Sequence, residues 1–418
     1  MDLKFRAIAP SLEAKLKKPF VHILFSARQT GKSTLIRAML PADATVLDLS
    51  DPRERSRFAA NPGLFIDLCR SLNPRGEDPS TVFVDEAQTV PELFDAVQNL
   101  YDGDKERWRF ILCGSSERRL RMSGANLLPG RSVRHLLHPL VTEEYEADPA
   151  FPKPGPPSLV PIGSGEQTPT PRFPARGLES RLVFGDLPGI ALMDDDKDRA
   201  DILSTYATAY LEEEIRREAL VKDWGAFLRF LKFAAGDSGG IVNLAAISRE
   251  TGIGAQSIKA YYQLLEDMFT GFSLPAFSGS ARKSALSSPR FLFFDLGVRN
   301  AAAGIPLVEG SVNAAPGPLF EQWVGTQLWR KLSYGASGSL SYFRTTDGAE
   351  IDFILEQGGE LIPIEVKWSE NPSLKDARHL KTFIAEHGGS CKRGYIVSRC
   401  PYVLSLDNAI TAIPWWAL

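Results

Sequence analysis

Long apolar runs, paired cysteines and an excess of basic charge are all missing from this chain. No stretch reaches 18 uninterrupted apolar residues, and the opening segment MDLKFRAIAPSLEAKLKKP holds no apolar core of signal-peptide length. No membrane span or secretory leader is therefore expected, and a cytoplasmic protein is. Only four cysteines occur, Cys69, Cys113, Cys391 and Cys400, far apart and without zinc-site or disulfide spacing. They are expected as buried thiols. With 48 Lys and Arg against 51 Asp and Glu the net charge is −3, so no global basic field draws the chain onto nucleic acid, and such binding would need a local patch. What is present is apolar matter enough for two or three packed domains: 418 residues, 44% hydrophobic and 24% charged.

The chain is organised around VHILFSARQTGKSTLIRAML, residues 21–40, where an apolar run reaches a polar turn ending Gly31-Lys32-Ser33-Thr34 and passes into a helix. Strand, phosphate cradle and helix start follow from that order, which is a P-loop. The cradle spans Ser26, Ala27, Arg28, Gln29, Thr30, Gly31, Lys32, Ser33 and Thr34. Its backbone N–H groups would point at the phosphates of ATP, Lys32 would bridge the β- and γ-phosphates, and Ser33 would ligate Mg²⁺. Ser26 stands where the pattern wants glycine. If that position takes a positive φ, a cost of about 1 kcal/mol is expected. An ordinary strand-to-helix turn is the plain alternative, and the Gly-Lys-Ser-Thr context weighs against it.

Downstream, TVFVDEAQ ends an apolar strand in two adjacent carboxylates. Asp85 is read as the Mg²⁺ holder and Glu86 as the residue that orients the attacking water, against the alternative of a strand running into an acid-tolerant helix turn. The strand RFILCGSS leads to Ser115 and Ser116, placing Ser115 where a γ-phosphate would be sensed. Arg131, just before a last strand over 133–137, serves either as a finger on a neighbouring protomer's nucleotide or as a strand flank. His135 and His138 are read as packing residues. The segment SLEAKLKKP before the P-loop is read as a short lead-in helix.

These motifs resemble a prokaryotic family of ATP-binding proteins in which an AAA+-type ATPase domain precedes the DUF4143 domain. SARQTGKSTL, VFVDEAQ, GSS and LPGRSVRHLLHPLVTEEY carry the resemblance first, and FGDLPGI, YLEEEIRRE and AEIDFILEQGGELIPIEVK continue it along nearly the whole chain. It implies an α/β chain: a five-stranded P-loop NTPase core, a helical and winged-helix middle, and a restriction-endonuclease-like end. The division expected is 1–147 for the ATPase core, 148–180 for an insertion, 181–236 for a helical connector, 237–315 for a winged-helix-like part and 316–418 for the C-terminal domain. The resemblance also implies that Gly185 and Pro188 shape a turn near the adenine.

Residues 148–180 are dense in Pro and Gly and read as a linker, with PKPGPP as a peptide-recognition alternative. Glu212 to Glu214 followed by Arg216 and Arg217 read as a solvated, salt-bridged helix face. NLAAISRETGIGAQSIKAYYQLLED gives helix, glycine turn, helix, whose second helix presents Gln256, Ser257 and Lys259 but ends in Glu266-Asp267. DNA readout and a structural or protein-docking role both remain open for it; any DNA or protein partner is expected through the C-terminal half, and oligomerisation is left open.

The last domain starts with a helix holding Glu321, continues through three strands to a helix opened by the capping pattern Ser373 to Asp376, and ends with strand RGYIVS. The order resembles the PD-(D/E)xK nuclease core, with Asp352, Glu365 and Lys367 at its motif positions. In AEIDFILEQGGELIPIEVK, Gly358-Gly359 forms a two-residue hairpin turn that pairs Gln357 with Glu360. Counting outward sets Asp352 opposite Glu365 and Glu350 opposite Lys367, all on one face, with Ile351, Phe353, Ile364 and Val366 on the other. Like charges so opposed want a shared cation, hence Mg²⁺ held by Asp352 and Glu365, with Lys367 steadying a water. The alternatives are a surface ion lattice of Lys367 with Glu350, an inert binding module, and for the whole chain a nucleotide-dependent switch.

Overall fold

The computed structural model describes the chain apart from residues 1–2, 73–78, 117–127, 149–158, 161–169, 212–214, 217–220, 222, 279–286, 336 and 346. Most of the Pro/Gly-rich insertion, with PKPGPP, and the run Glu212 to Glu214 with Arg217 lie outside the described residues. Two compact units emerge, and the first takes residues 1–138 with two short later segments. Among the described residues no helix is long and apolar enough to cross a membrane.

In the first unit, α1 (Ala9–Leu16) precedes β1 (Val21–Phe25), α2 (Lys32–Met39), β2 (Thr45–Asp48), α3 (Pro52–Ala60), α4 (Gly63–Ser71), β3 (Ser80–Asp85), α5 (Leu93–Gly103), β4 (Trp108–Gly114) and β5 (Ser132–Leu136). The strands are all parallel in the order β2-β3-β4-β1-β5. A parallel sheet covered on both faces needs apolar residues at every position, not alternate ones. β1 meets that demand with five buried residues out of five. α5 buries Phe94, Val97 and Tyr101 at helical spacing, and the core gathers Phe58, Phe65, Cys69, Val82, Val84 and Phe110. α4 buries Phe65 and Cys69, and Leu64, Leu68 and Leu72 pack partly buried at the core's margin.

The parallel arrangement puts the loops after β1, β3 and β4 at one edge, the C-terminal edge where α/β sheets bind ligands. Residues 26–31, Asp85-Glu86 and Ser115 therefore converge. All four cysteines are buried and free.

In the second unit, α6 (Leu178–Phe184), α7 (Pro188–Ala191), α8 (Asp196–Thr205), α9 (Trp224–Gly236), α10 (Leu244–Thr251) and α11 (Ala255–Asp267) make the helical middle. A two-stranded sheet of β6 (Gly271–Leu274) and β7 (Arg290–Phe293) follows, then α12 (Leu296–Ala303) and the long α13 (Pro316–Gly335). Gly252, at φ 71°, ends α10 and turns the chain into α11, whose Gln256, Ser257 and Lys259 are exposed as the sequence suggests.

The unit is knotted by Asp186. Its buried carboxylate accepts from Arg181 Nε (2.8 Å), Arg330 Nη1 (3.0 Å), Tyr145 Oη (3.0 Å), Gln327 Nε2 (3.1 Å) and Trp323 Nε1 (3.2 Å). Burial alone would raise its pKa, but the two arginines outweigh burial and hold it below the ordinary value. Gly185 beside it sits at φ 71° against Asp295, so its geometry is explained within this unit.

A six-stranded mixed sheet closes the chain: β8 (Gly338–Arg344), β9 (Glu350–Gln357), β10 (Glu360–Lys367), β11 (Gly394–Ser398), β12 (Leu404–Ser405) and β13 (Ile410–Pro414), in the order β12-β13-β11-β10-β9-β8. Between β10 and β11, α14 (Arg378–Glu386) buries Leu380 and Phe383. The Ser373–Asp376 pattern closes a turn through Ser373 N and Oγ on Asp376 Oδ2, and the helix starts only at Arg378. That is a correction: the capping residues cap a turn two residues short of the helix.

Candidate functional site

The β1–α2 loop is pinned from both ends. Its entry is held by Ser26 N donating to Gly114 O at 3.3 Å. Its exit is held by Arg6, whose Nη1 donates to Thr30 O and Nη2 to His138 O, each at 2.7 Å. Ahead of the lead-in helix, Arg6 thus supplies a buried guanidinium that clamps the loop. The positive φ values fall at Gln29 (61°) and Gly31 (90°), and Ser26 is not among them. The strain expected of a serine there is absent, because the left-handed turn occurs three residues later.

Lys32 is buried, with Nζ 2.9 Å from Ser26 Oγ and 3.4 and 3.5 Å from the carbonyl oxygens of Ser26 and Ala27. Burial pulls its pKa below the ordinary lysine value, against the opposing pull of Glu86 and Asp85. Among the described residues its ammonium has only neutral oxygens in hydrogen-bond contact, so there it is a cation short of an anion. Ser26 Oγ also lies 2.6 Å from Thr30 Oγ1, so the serine hydroxyl ties the loop across itself. α2 begins at Gly31 with no side-chain cap, leaving first-turn N–H groups for an anion to take.

Across the sheet edge, Asp85 accepts a hydrogen bond from Ser33, and burial raises its pKa despite that bond. A buried carboxylate touching the hydroxyl of the residue after the lysine fits a hard divalent cation: both donors are oxygen, and the ion-pair partner of the acid, Arg37, stands off at 3.8 Å while the same guanidinium nitrogen lies 2.9 Å from Asp48. Glu86 follows in a left-handed conformation at φ 54°. Its Oε2 accepts from Gln88 Nε2 at 2.6 Å, and the same nitrogen donates to Ser115 Oγ at 3.0 Å. Gln88 therefore bridges the two residues singled out for water activation and phosphate sensing. Its Oε1 is buried without a partner against Gly114, where a Cβ would come within 2.8 Å of it. Sequence reasoning passed over Gln88 and Arg6; the only signals were a polar residue held after a strand end and a lone arginine in an apolar stretch.

Arg131 falls elsewhere. Its carbonyl receives Val21 N, so it stands level with the start of β1, at the sheet edge remote from the loop, and its Nε pairs with Asp102 at 2.6 Å. It flanks the strand and does not reach its own chain's loop. His135 Nε2 lies 3.1 Å from His22 Nδ1 within the sheet, and its pKa is pushed down to about 3 by burial and by His22.

In the second unit the C-terminal acids gather at the open ends of β9 and β10. The hairpin pairs Gln357 with Glu360 as counted, and the ladder continues to Phe353 with Ile364. Beyond that point Val366 N donates to Asp352 Oδ2 at 2.8 Å, so a side chain replaces the ladder partner. On the other side, β8 pairs Ser341 with Ile354 but Phe343 with Ile351, so Asp352 and Phe353 together face one residue. This β-bulge corrects the expected alternation: Ile351 joins Ile354 in the core with Leu380 and Phe383, whereas Phe353 packs toward Gly325 of α13.

Lys367 Nζ contacts Glu365 Oε1 at 2.6 Å, and Glu365 Oε2 is buried with no partner. Asp352 is held well above the ordinary carboxyl range by burial, then by Glu321 and Glu365. Glu350 and Glu321 both pair with Arg290. The ion lattice of Lys367 with Glu350 is therefore not formed. Among the described residues no group of three or more His, Cys, Asp or Glu is arranged to hold a metal. The Asp352–Glu365 pair still suits Mg²⁺, which commonly takes one or two carboxylates and keeps its waters.

Two mycobacterial proteins, both called uncharacterized, from Mycobacterium tuberculosis and Mycobacterium bovis, are each 24% identical over 416 residues, covering 99% of this chain and 84% of their own. An uncharacterized protein of Haemophilus influenzae is 22% identical over 362 residues, 83% of this chain and 82% of its own. Residues 175–309 match a domain of unknown function, DUF8612. Residues 18–146 match the AAA domain and residues 316–418 the domain of unknown function DUF4143, so this chain joins an AAA domain to a DUF4143 domain.

Proposed function

We propose that the chain is a Mg²⁺-dependent ATPase whose reaction is run by the edge of the first sheet. The observation that carries this reading is Lys32: a buried ammonium inside a strand-to-helix loop with, among the described residues, only neutral oxygens in hydrogen-bond contact. Triphosphate binding would release it from Ser26 and set it between the β- and γ-phosphates, while backbone N–H groups of residues 27–34 receive their oxygens. Ser33 and Asp85 would hold the Mg²⁺, which supplies charge neutralisation on those oxygens. Glu86, kept in place by Gln88, would orient the attacking water, and Ser115 at the other end of the same amide would report the γ-phosphate. Phosphate release measured with DNA, with RNA and with neither tests this. Turnover that survives in wild type and disappears in Glu86→Gln, with ATP binding retained, is the expected result. Tight ATP binding by Lys32→Ala overturns the assignment, and tight binding by wild type with negligible turnover in all three conditions makes the chain a nucleotide-dependent switch.

A second reading concerns the C-terminal sheet, where the unpartnered Glu365 Oε2 beside buried Asp352 favours divalent-metal-dependent cleavage of a phosphodiester. Asp352 and Glu365 would hold the metal and Lys367 would steady the attacking water. Undiminished metal-dependent cleavage by the Asp352→Ala, Lys367→Ala double variant rejects it.

A further inference from the structure

Without nucleotide, the β1–α2 loop occupies its own lysine. Ser26 Oγ lies 2.8 Å from Ala27 O and 2.6 Å from Thr30 Oγ1, and Thr30 Oγ1 lies 3.1 Å from Ala27 O. A hydroxyl has one proton to give and two lone pairs to offer, whereas an ammonium only donates. If Ser26 donates to Thr30, Thr30 donates to the carbonyl; if Thr30 donates to Ser26, Ser26 donates to the carbonyl. In either arrangement Ser26 Oγ keeps a lone pair for Lys32 Nζ, 2.9 Å away.

That contact is the shortest of the three that Lys32 makes, since the carbonyl oxygens of Ser26 and Ala27 stand at 3.4 and 3.5 Å. A glycine at position 26 would leave the lysine those two carbonyls and nothing nearer. Ser26, Thr30 and Lys32 are all buried, so the hydroxyl and the ammonium face each other inside the loop and not across open water. The backbone of residue 26 adds no cost of its own: its φ is not positive, and its N–H is already given to Gly114 O. What serine brings to this position is therefore its oxygen. An ammonium bonded to that oxygen must leave it before it can bridge two phosphates.

We propose that Ser26 is an internal competitor of the triphosphate, holding Lys32 in the empty loop and so setting the nucleotide concentration at which the loop fills. This rests on the ATPase reading of the first sheet edge and names what regulates its occupancy. A hydrogen bond to a charged group is worth roughly ten- to a hundredfold in an equilibrium. The two carbonyls retain part of that hold, so loss of the hydroxyl should tighten nucleotide binding about three- to thirtyfold.

Calorimetric titration of the full chain with a non-hydrolysable Mg-ATP analogue tests this in wild type and Ser26→Ala, a substitution that the backbone at position 26 accepts without strain. The variant should bind more tightly by that factor. Equal binding overturns the proposal and leaves the ATPase reading standing; weaker binding does the same and assigns the hydroxyl to the nucleotide. Failure of both proteins to bind overturns the two readings together. Melting of the empty protein supplies a readout that a merely structural serine would not move. Ser26→Ala should lower the melting temperature more in the wild-type background than in Lys32→Met, where no ammonium is left for the hydroxyl to hold. An equal shift in the two backgrounds overturns the proposal.

Discussion

Replacing Lys32 by methionine should stabilise the nucleotide-free protein while abolishing its affinity for ATP. The ammonium is buried on Ser26 Oγ at 2.9 Å and on two carbonyls at 3.4 and 3.5 Å, and burial lowers its pKa. A base whose folded pKa lies below its unfolded one holds its proton less well when folded, so at neutral pH the charge opposes folding. Substituting a thioether of similar length removes that opposition, and by analogy with buried ion replacements the gain is about 1–3 kcal/mol. Against it stand two lost charge-assisted hydrogen bonds to the triphosphate, about 1.5–3 kcal/mol each, or roughly 10²- to 10⁴-fold in affinity. Scanning calorimetry reads both effects together. Without nucleotide the variant should melt a few degrees above wild type. With Mg-ATP at roughly 100 times its Kd, wild type alone should gain about 2.7 kcal/mol. A variant that melts lower than wild type without nucleotide, and is still stabilised by ATP, would refute the reasoning and make Lys32 a structural cation.

Gln88→Ala should cut turnover roughly 10- to 100-fold while leaving ATP affinity within about twofold, because Glu86 loses the amide that holds it; a matching loss of affinity would assign Gln88 to binding instead. The His22–His135 pair predicts acid sensitivity of the first unit. The folded pKa of His135 is near 3 against about 6.5 unfolded, so stability is intact above pH 6.5 and lost as pH falls toward 3, by about 2 kcal/mol at pH 5. Urea denaturation of His135→Leu between pH 5 and 7 should show a flatter profile, and an unchanged slope would contradict this. Gly185→Ala should cost about 2–4 kcal/mol, since a Cβ there would lie 2.1 Å from Asp295 Oδ1 at a backbone φ of 71°. A shift below about 0.5 kcal/mol in the denaturation midpoint analysis would mean that the turn relaxes freely.

The first sheet was legible because its signals are local. A buried parallel strand must be apolar throughout, so VHILF, TVFVD and RFILCG announce themselves, and the polar residues that end them have to lie at one edge of the sheet. Ser26, Lys32, Ser33, Asp85, Glu86 and Ser115 are assigned to one edge by that argument. Arg6 and Gln88 are not, for the same reason in reverse. Arg6 reaches a loop carbonyl 24 residues ahead and another 132 ahead, and no periodicity encodes such a reach. Whether an arginine before a strand, such as Arg131, faces the loop of its own chain depends on which end of the strand it occupies. Parallel pairing with Val21 decides that, and pairing is not written in the strand's own residues.

The C-terminal hairpin shows where counting stops being enough. Gly358 and Gly359, at φ 59° and 81°, fix the register by their backbone freedom, so four pairs beyond Gln357–Glu360 came out correctly by arithmetic from the turn. Arithmetic then assumes period two to the end of the strand, and the bulge at Asp352–Phe353 breaks it. Nothing in EIDFILEQ distinguishes a bulged strand from a regular one, because the extra residue is accommodated by β8 on one side and by the Val366 N–H on the other. The break has a chemical consequence. A regular ladder would spend the Val366 N–H on a backbone carbonyl; here it is spent on Asp352 Oδ2, which draws the carboxylate toward β10 and Glu365, while Glu350 and Glu321 pair with Arg290 yet still bear on the site by their charge. The surplus of negative charge is thereby concentrated on two carboxyls with one ammonium, Lys367, beside them. That concentration is what a divalent cation would relieve, and it follows from where the bulge falls rather than from the spacing of the acids along the chain.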